Sequence, residues 1–592
     1  MSDITITASV TDATGTKAMV TLGGVITTTQ GTPPPPSGTG WSTFTPTFTT
    51  TQLLQQGSGY SGTGTRFVYV SSSTGNDSNT GTQASPKASI NGASGGKSLL
   101  RSGNPDWLLL KKGDSWTADK VNPPNVGGPG QVTNADGSYS GVILITSYPC
   151  PFLGDNTKGA RPVLNFSGGF GGTPAFIGLD TAMVGLEFYC FDRDPANGSF
   201  SSGQEGSTII GAFIGGNGTA NTWHLVEDCK WSFFSTDIFA GALTSGTTAS
   251  GTLILNRNQF IGAYSTVEGD QNTLSWLFQN PILTGNYSDQ GGWNPQLGIP
   301  TDNFSQVRNR NMYIQSNPNA TAFTDPVNAG GEGNGPATVS GNITILSVAE
   351  GAQMRSGGTC YNNFGAFNAF DMEIGHVESG HPSVFTVSNT YNVFVNPTDW
   401  AGIFGHGIST QQGGYGLVVS NNWANGCVHQ FNIMAHGYSG GTYGTGTGIQ
   451  FQAGATGQGG NGVVVNNNII YNFATSLGGT GSQTGSANTT TPNTIELNNS
   501  NTLGFQAAIT QTDVLGYYYT TVLGKSGAAV PSGLSYISTG VQGFRNAWWG
   551  TLGSTSLTGQ CKDNWNPLLT APAINDWYRT VTNNIFPAQG GY

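Results

Sequence analysis

The sequence predicts an all-β chain whose body is a parallel β-helix solenoid, with a small β module in front and a capping region behind. Three observations predict it. A short phrase of β-branched or apolar residues, then asparagines, then an aromatic, recurs between about residues 140 and 505. Glycine supplies 91 of 592 residues and charged residues only 9%, against roughly a quarter in ordinary domains. The chain also divides by composition into residues 1–30, 31–64, 65–505 and 506–592.

The first piece alternates apolar and small polar residues with a period of two. Residues 4–28 read ITITASVTDATGTKAMVTLGGVITT, and Asp12-Ala-Thr-Gly15 supplies a turn. A two- or three-stranded unit of this size buries too little to stand alone. It is expected to pack on copies of itself or on a partner. Gly31-Thr-Pro-Pro-Pro-Pro36 is a stiff polyproline spacer, and a Gly/Ser/Thr-rich connector continues to residue 64.

The body carries the repeat. Its copies include Leu253-Ile-Leu-Asn-Arg-Asn-Gln-Phe260, Val307-Arg-Asn-Arg-Asn-Met-Tyr313, Phe385-Thr-Val-Ser-Asn-Thr-Tyr391, Leu417-Val-Val-Ser-Asn-Asn-Trp423 and Val463-Val-Val-Asn-Asn-Asn-Ile-Ile-Tyr471. The first asparagine of each copy marks positions 256, 286, 309, 342, 362, 389, 421, 466 and 498. Steps of 20 to 45 residues with one strand–turn unit each signal a solenoid; a propeller keeps a steadier period. Strands of successive coils pair in parallel, so β-branched residues stack inward. Asparagine at the sharp turn tolerates left-handed geometry and stacks as a hydrogen-bonded ladder. Unequal steps mean loops of unequal length on one side, a binding surface. From about residue 506 the asparagines stop. A helical run near Val514-Leu-Gly-Tyr-Tyr-Tyr519 follows, with a tail at Asn564-Trp-Asn-Pro-Leu-Leu-Thr-Ala-Pro-Ala-Ile-Asn-Asp-Trp-Tyr-Arg579. This part is expected to cover the open end of the solenoid, with Trp577 and Tyr578 packed inward.

Several phrases resemble right-handed parallel β-helix repeat proteins of the pectate-lyase-like class, in particular those of phage tailspike and fibre type. They are Phe67 to Ile90 with its Ser-Pro-Lys turn, Asp106 to Trp116 with Gly-Asp-Ser-Trp, and Asn286 to Asn294 followed by Met312-Tyr-Ile-Gln315. Ala349 to Thr359 followed by Tyr361-Asn-Asn363, and the tail to Arg579, complete them. The resemblance covers residues 66 to 592 and implies fold more than activity, because such helices carry lyases, hydrolases and inert adhesins. The setting of Trp293 departs from relatives, with no histidine near it.

Composition excludes some functions. A net charge of −11 opposes a sequence-independent grip on nucleic acid. No stretch approaches a membrane span, and the N-terminus MSDITITASV lacks the pattern of a signal peptide. Cys150, Cys190, Cys229, Cys360, Cys427 and Cys561 are too scattered for a metal site and read as buried thiols. No cofactor is expected, although oxygen-rich Asn/Asp loops leave calcium open.

Acidic residues are few, 31 in all, so clusters stand out. The densest is Asp371, Glu373, His376, Glu378 and His381, with Glu350 and Arg355 about one coil earlier. Residues two apart on a strand share a face, so Asp371 and Glu373 are expected together, with Glu350, as catalytic carboxylates. Arg355, His376 and Trp293 are the expected substrate contacts, Arg355 for charge and Trp293 for sugar stacking. The alternative is a structural Arg–carboxylate pair. The expectation is a virion-borne tailspike or fibre that binds, and in one form cleaves, host surface polysaccharide. The N-terminal module would attach it to tail or capsid proteins, and a homotrimer would hide one solenoid face. A free polysaccharide lyase or glycoside hydrolase and a non-enzymatic decoration protein are the other readings.

Overall fold

The computed structural model describes residues 6–11, 17–22, 40–46, 64–101, 104–121, 132–133, 138–177, 180–201, 209–216, 222–242, 251–264, 271–276, 280–294, 299–300, 310–315, 337–354, 357–374, 387–400, 414–420, 427–439, 441–452, 464–478, 494–496 and 511–580. Residues 1–40 with 591–592 group as one unit and 41–590 as another. The described part of the first unit is an antiparallel pair, Ile6–Thr11 with Lys17–Leu22, in which Ile6 lies opposite Leu22. The expected turn at 12–15 lies outside the described residues.

The second unit is a parallel β-helix. Two sheets of 12 strands and one of 10 run its length. The first sheet begins with Phe67–Val70 and ends with Val464–Asn466; the second runs from Ser115–Thr117 to Thr494–Glu496; the third from Ala175–Ile177 to Thr475–Gly478. One coil shows the path: Ala337–Ser340 in the first sheet, Ile343–Ile345 in the second, Glu350–Met354 in the third, then Gly358–Tyr361 back in the first. Alternate residues of all three sheets meet inside. Val339 and Cys360, Phe394 and Met434, and Met354 and Ile374 share one core. All six cysteines are buried thiols, none joined in a disulfide.

Corners, not strand lengths, set the coil. From Lys230–Ser232 to Ile469–Tyr471 the strands of the second sheet are three residues long and flanked on both sides by residues of positive φ. Before the strand these include Gly285, Gly341, Asn362, Tyr391, Phe431 and Asn467 in successive coils, with φ between 54 and 65°. After it they include Gln290, Leu346, Phe367, Asn396, His436 and Asn472. A left-handed conformation costs a bulky residue roughly 1–2 kcal/mol. Coil-to-coil bonds hold it there: Leu346 N–H donates to Ala366 C=O at 3.2 Å, and Asn396 N–H to Ala435 C=O at 2.9 Å.

The asparagine ladder runs one residue beyond the first corner. It comprises Asn258, Asn286, Asn342, Asn363, Asn392, Asn432 and Asn468, each standing immediately before its three-residue strand. Asn363 shows the pattern. Its Oδ1 accepts from the backbone N–H and the Nδ2 of Asn342, both at 3.0 Å. Its Nδ2 donates to Val339 C=O at 3.0 Å and Asn392 Oδ1 at 2.9 Å. The sequence reading assigned both jobs, left-handed turn and ladder, to one asparagine; the fold divides them between neighbours. Of the marker asparagines, Asn286 and Asn342 are rungs. The phrases at 307–313 and 417–423 belong to the third sheet, through strands Arg310–Gln315 and Tyr415–Ser420.

The C-terminal segment does not sit over the open end. It lies along the outer face of the second sheet, because from Tyr287 to Tyr471 that face is apolar apart from Asp289. Tyr287, Ile343, Phe364, Val393, Ile433 and Ile469 there pack against Leu515 of α1 (Val514–Tyr517), Phe544 and Trp548 of α2 (Thr539–Trp549), and Ile574 and Tyr578 of α3 (Ala571–Thr580). Polar anchors recur along the way. Arg545 Nε lies 2.8 Å from Asp289 Oδ2, which also accepts from Tyr287 Oη at 2.6 Å and Trp549 Nε1 at 3.0 Å. Arg161 pairs with Asp228 at 2.6 Å and donates to Gln560 C=O at 3.0 Å. Asn575 Nδ2 donates to Asn362 Oδ1 at 2.9 Å, and Arg579 to Tyr391 C=O. Tyr578 is buried as expected, and Trp577 partly so. Inside the stretch expected as linker, residues 41–46 lie on the body: Thr43–Phe44 pairs with Ser138–Ser140, and Glu227 accepts from Ser42 N–H at 3.1 Å and Oγ at 2.8 Å.

Two outcomes check this account. Asn363→Ala orphans donors and acceptors on both adjacent coils and is expected to cost on the order of 3 kcal/mol or more, read as a lowered unfolding midpoint. Arg545→Ala strands a buried carboxylate at Asp289, at a cost of about 3–5 kcal/mol. Limited proteolysis should then release the C-terminal segment before the solenoid; an unchanged digestion pattern would count against anchoring by this pair.

Candidate functional site

The expected carboxylates fall on the third sheet, and the fold separates them. Glu373 lies between Met372 and Ile374, both in the solenoid core, and therefore points outward. Asp371 points inward. It occupies a column formed by Gly351, Asp371, Gly416 and Gly448 on successive coils. The column presses on the inner side of the second sheet: a Cβ on Gly351 would come within 2.5 Å of Thr344 Oγ1, and one on Gly448 within 2.3 Å of Ile470 Cγ2. Two-residue spacing puts side chains on one face only in regular strand. The start of this strand is still part of the corner, so the shared face expected for Asp371 and Glu373 does not form.

Asp371 is fully buried, and its Oδ1 accepts from Asn368 Nδ2 at 2.9 Å. Its Oδ2 has no hydrogen-bond partner among the described residues. Burial pushes its pKa well above the usual carboxylate range, against the smaller opposite pull of Asn368. Asp237 stands in the same inward position, also fully buried and also raised by burial.

On the outer face the remaining candidates line up. Gln353 and Glu373 are register partners, and Gln353 Nε2 donates to Glu373 Oε2 at 2.7 Å. Glu350 is ion-paired with Arg310 of the preceding strand, with Arg310 Nε to Glu350 Oε2 at 2.9 Å. The guanidinium also lies 4.3 Å from the Tyr313 ring centre. Rings stack to either side, Phe213 with Phe239 at 5.3 Å and Phe370 with Tyr415 at 5.2 Å. Carboxylate, amide, guanidinium and ring are thus side by side on adjacent coils. Yet Arg310, Tyr313, Glu350, Gln353 and Glu373 are all buried, none more than 6% exposed. Arg355 and His376 lie outside the described residues, as does the side chain of Trp293, whose backbone pairs with Pro300. Among the described residues no group of His, Cys, Asp and Glu could hold a metal ion.

Arg310 was not among the expected site residues. Its signal in the sequence was the Arg-Asn-Arg-Asn phrase, which had been read as a ladder corner. The outer face of the first sheet was also missed, because none of its described residues from Ile282 onward is charged. One row there, Ile282, Thr338, Thr359, Ser388, Val428 and Val464, is partly or fully exposed; in the row beside it Thr284, Thr390 and Gln430 are partly exposed while Ser340 and Tyr361 are buried.

No family model matches the chain, and no curated protein does. Among solved structures, a lacto-N-biosidase from Eubacterium ramulus aligns over 73% of this chain and 68% of its own at 11% identity and a TM-score of 0.38. The A-module of a mannuronan C-5 epimerase from Azotobacter vinelandii aligns over 67% and 91% at 10% identity and 0.31. A pectate lyase aligns over 76% and 85% at 14% identity and 0.28. At these scores the likenesses carry no argument about what the chain does.

The inward carboxylate gives a pH prediction. A folded-state pKa raised above the unfolded value gives Asp371 a stabilising share below about pH 4, lost as pH rises toward the raised value. Asp371→Asn should therefore be more stable than wild type at pH 7–8. Its advantage should shrink by about 1.4 kcal/mol per pH unit as pH falls through that window. Urea unfolding at pH 4 to 8 measures it, and a constant difference would place the carboxyl elsewhere.

Proposed function

We propose that this chain binds a cell-surface polysaccharide along its solenoid, as a tailspike- or fibre-like appendage of a phage particle. The observation that carries the binding reading is the outer face of the first sheet. Hydroxyl and small apolar groups repeat there once per coil, partly exposed and uncharged, from Ile282 through Thr359 and Ser388 to Val464. Rungs about 4.8 Å apart offer an elongated ligand the same chemistry on successive coils. A face without cations suits a neutral glycan better than a polyanionic one. The particle reading draws on a separate N-terminal hairpin joined through Gly31-Thr-Pro-Pro-Pro-Pro36 to a body of low charge. In it the hairpin meets tail or capsid proteins, the chain is displayed outside the cell, and it assembles as a homotrimer.

Cleavage is a second reading, and the outer-face row of Arg310, Glu350, Gln353 and Glu373 favours it. Here Glu373 would be the working carboxylate, because Glu350 is committed to Arg310. Asp371 has no part in it.

The test is incubation of purified protein with capsule and lipopolysaccharide preparations, scored for binding, new reducing ends and unsaturated-uronate absorbance. Binding is expected for wild type and at least tenfold weaker in Thr359→Arg/Ser388→Arg, with an unchanged unfolding midpoint. Undiminished binding by that variant would overturn the assignment of the first sheet. Products that vanish in Glu373→Gln would establish cleavage at the third sheet, and binding without product would leave an adhesin.

A further inference from the structure

The first coils carry an open groove of about 420 Å³ that none of the preceding reading uses. It lies between a loop tip at Gln83 and a turn at residues 149–156. Both walls are firmly built. The loop returns through Gly81, whose C=O accepts from Tyr69 N–H at 2.8 Å and whose N–H donates to Ser85 C=O at 3.0 Å. Gly81 has a φ of 82°, and the reversal leaves Gln83 exposed at the tip. The turn closes on Cys150 C=O, which accepts from Leu153 N–H at 3.0 Å and Asp155 N–H at 3.1 Å. Gly154, with a φ of 82°, sends the chain back so that Asp155 and Asn156 form the lip.

The floor is two tyrosines. Tyr69 and Tyr148 meet edge to face with ring centres 5.0 Å apart. Around this aromatic floor stand groups with hydrogen-bonding capacity to spare. The side-chain amides of Gln83 and Asn156 are exposed and bond to no other described residue. The Asp155 carboxylate accepts from Thr157 N–H at 3.0 Å, and its bonds to Thr157 hold it below the usual carboxylate range, so it is ionised at neutral pH. Among the described residues no lysine or arginine lines the groove, and Lys112 nearby adds to the lowering at Asp155.

We infer that this groove is a subsite for a neutral pyranose, one or two sugar units in extent. The inference rests on the polysaccharide-binding reading and deepens it, because it names the sugar class and a place. Volume, floor and rim each select. The size falls in the range of small-ligand sites, roughly 300–1,000 Å³. Tyr69 and Tyr148, each 7% exposed, offer ring edges that suit the C–H surface of a pyranose ring. A carboxylate flanked by two amides pairs with neighbouring sugar hydroxyls, the carboxylate accepting and the amides both donating and accepting. The same carboxylate, with no cation among the described residues that line the groove, disfavours a uronate or a sulfated sugar.

Saturation-transfer NMR on the full chain with glucose, galactose, N-acetylglucosamine and galacturonate, each at millimolar concentration, tests it. At least one neutral sugar should give a transfer signal and galacturonate none. The signal should fall at least tenfold in Asp155→Ala/Asn156→Ala and in Gln83→Ala, all on the exposed rim, with unchanged circular dichroism. Absence of signal from all three neutral sugars, an undiminished signal in the variants, or equal binding of galacturonate would each overturn the subsite. Polysaccharide retention measured on the same proteins separates the two claims. A wild type that holds polysaccharide while the variants keep their sugar signal loses the subsite and keeps the wider reading. A sugar signal confined to the groove, with no polysaccharide held, does the reverse.

Discussion

The asparagine ladder and the left-handed residue before each rung are the constraint on which this molecule depends. A parallel β-helix must turn a sharp corner between sheets on every coil, and a corner leaves backbone groups without strand partners. Here each rung amide supplies what the corner lacks. Asn363 Oδ1 satisfies the Asn342 N–H, and Asn363 Nδ2 satisfies the Val339 C=O. The same bond repeats from Asn258 to Asn468. Because each rung is donor to one coil and acceptor to the next, coils cannot shift in register independently. That rigidity lets bulky residues such as Leu346, Phe367 and Tyr391 occupy left-handed positions that isolated chain would avoid.

Fixing the corner fixes which side chains go where. From Tyr287 onward three-residue strands in the second sheet leave two outward side chains per coil, and nearly all are apolar, as in Ile343 and Ile345 or Val393 and Val395. Such a face needs a cover. The C-terminal segment supplies it with its own core and meets buried polar groups one by one: Asp289 by Arg545, Asp228 by the Lys562 N–H, Asn362 by Asn575. A charge without its partner here would be costly, so these pairs set the position of the segment along the helix more than they add net stability. The other two sheets differ: one is uncharged and partly open from Ile282 onward among the described residues, and the other holds Arg310, Glu350 and Glu373 beneath cover.

Much of this was legible in the residues. The recurrence of asparagine and the excess of glycine gave the solenoid, and the break near residue 506 located the segment that folds differently. The ladder rungs themselves were less legible. Asparagines cluster at both corners, and only bonding tells Asn363 from its neighbour Asn362. A stricter search for asparagine immediately before a three-residue apolar run, as in Asn342-Ile-Thr-Ile345 and Asn392-Val-Phe-Val395, would have found them. The candidate site was half legible. Glu350 and Glu373, expected about one coil apart, lie on neighbouring strands of one sheet, and the partners Arg310 and Gln353 were not foreseen. Asp371 was given the wrong face because strand alternation was applied across a corner.

By itself the sequence determined the coil: its residues state that strand–turn units repeat, and which side chains are apolar enough to stack inward. Those are local properties, set by backbone sterics and by hydrophobic pattern. Only the tertiary structure decided what faces what. Whether Asp371 points in or out depends on how a corner meets the opposite sheet. Whether the C-terminal helices close an end or line a flank depends on which of three faces is left without polar groups. The groove at Tyr69 and Tyr148 needs a loop tip and a turn some 70 residues apart to meet across a floor that neither builds alone. Such features come from packing between coils distant in the chain, and no local pattern encodes them.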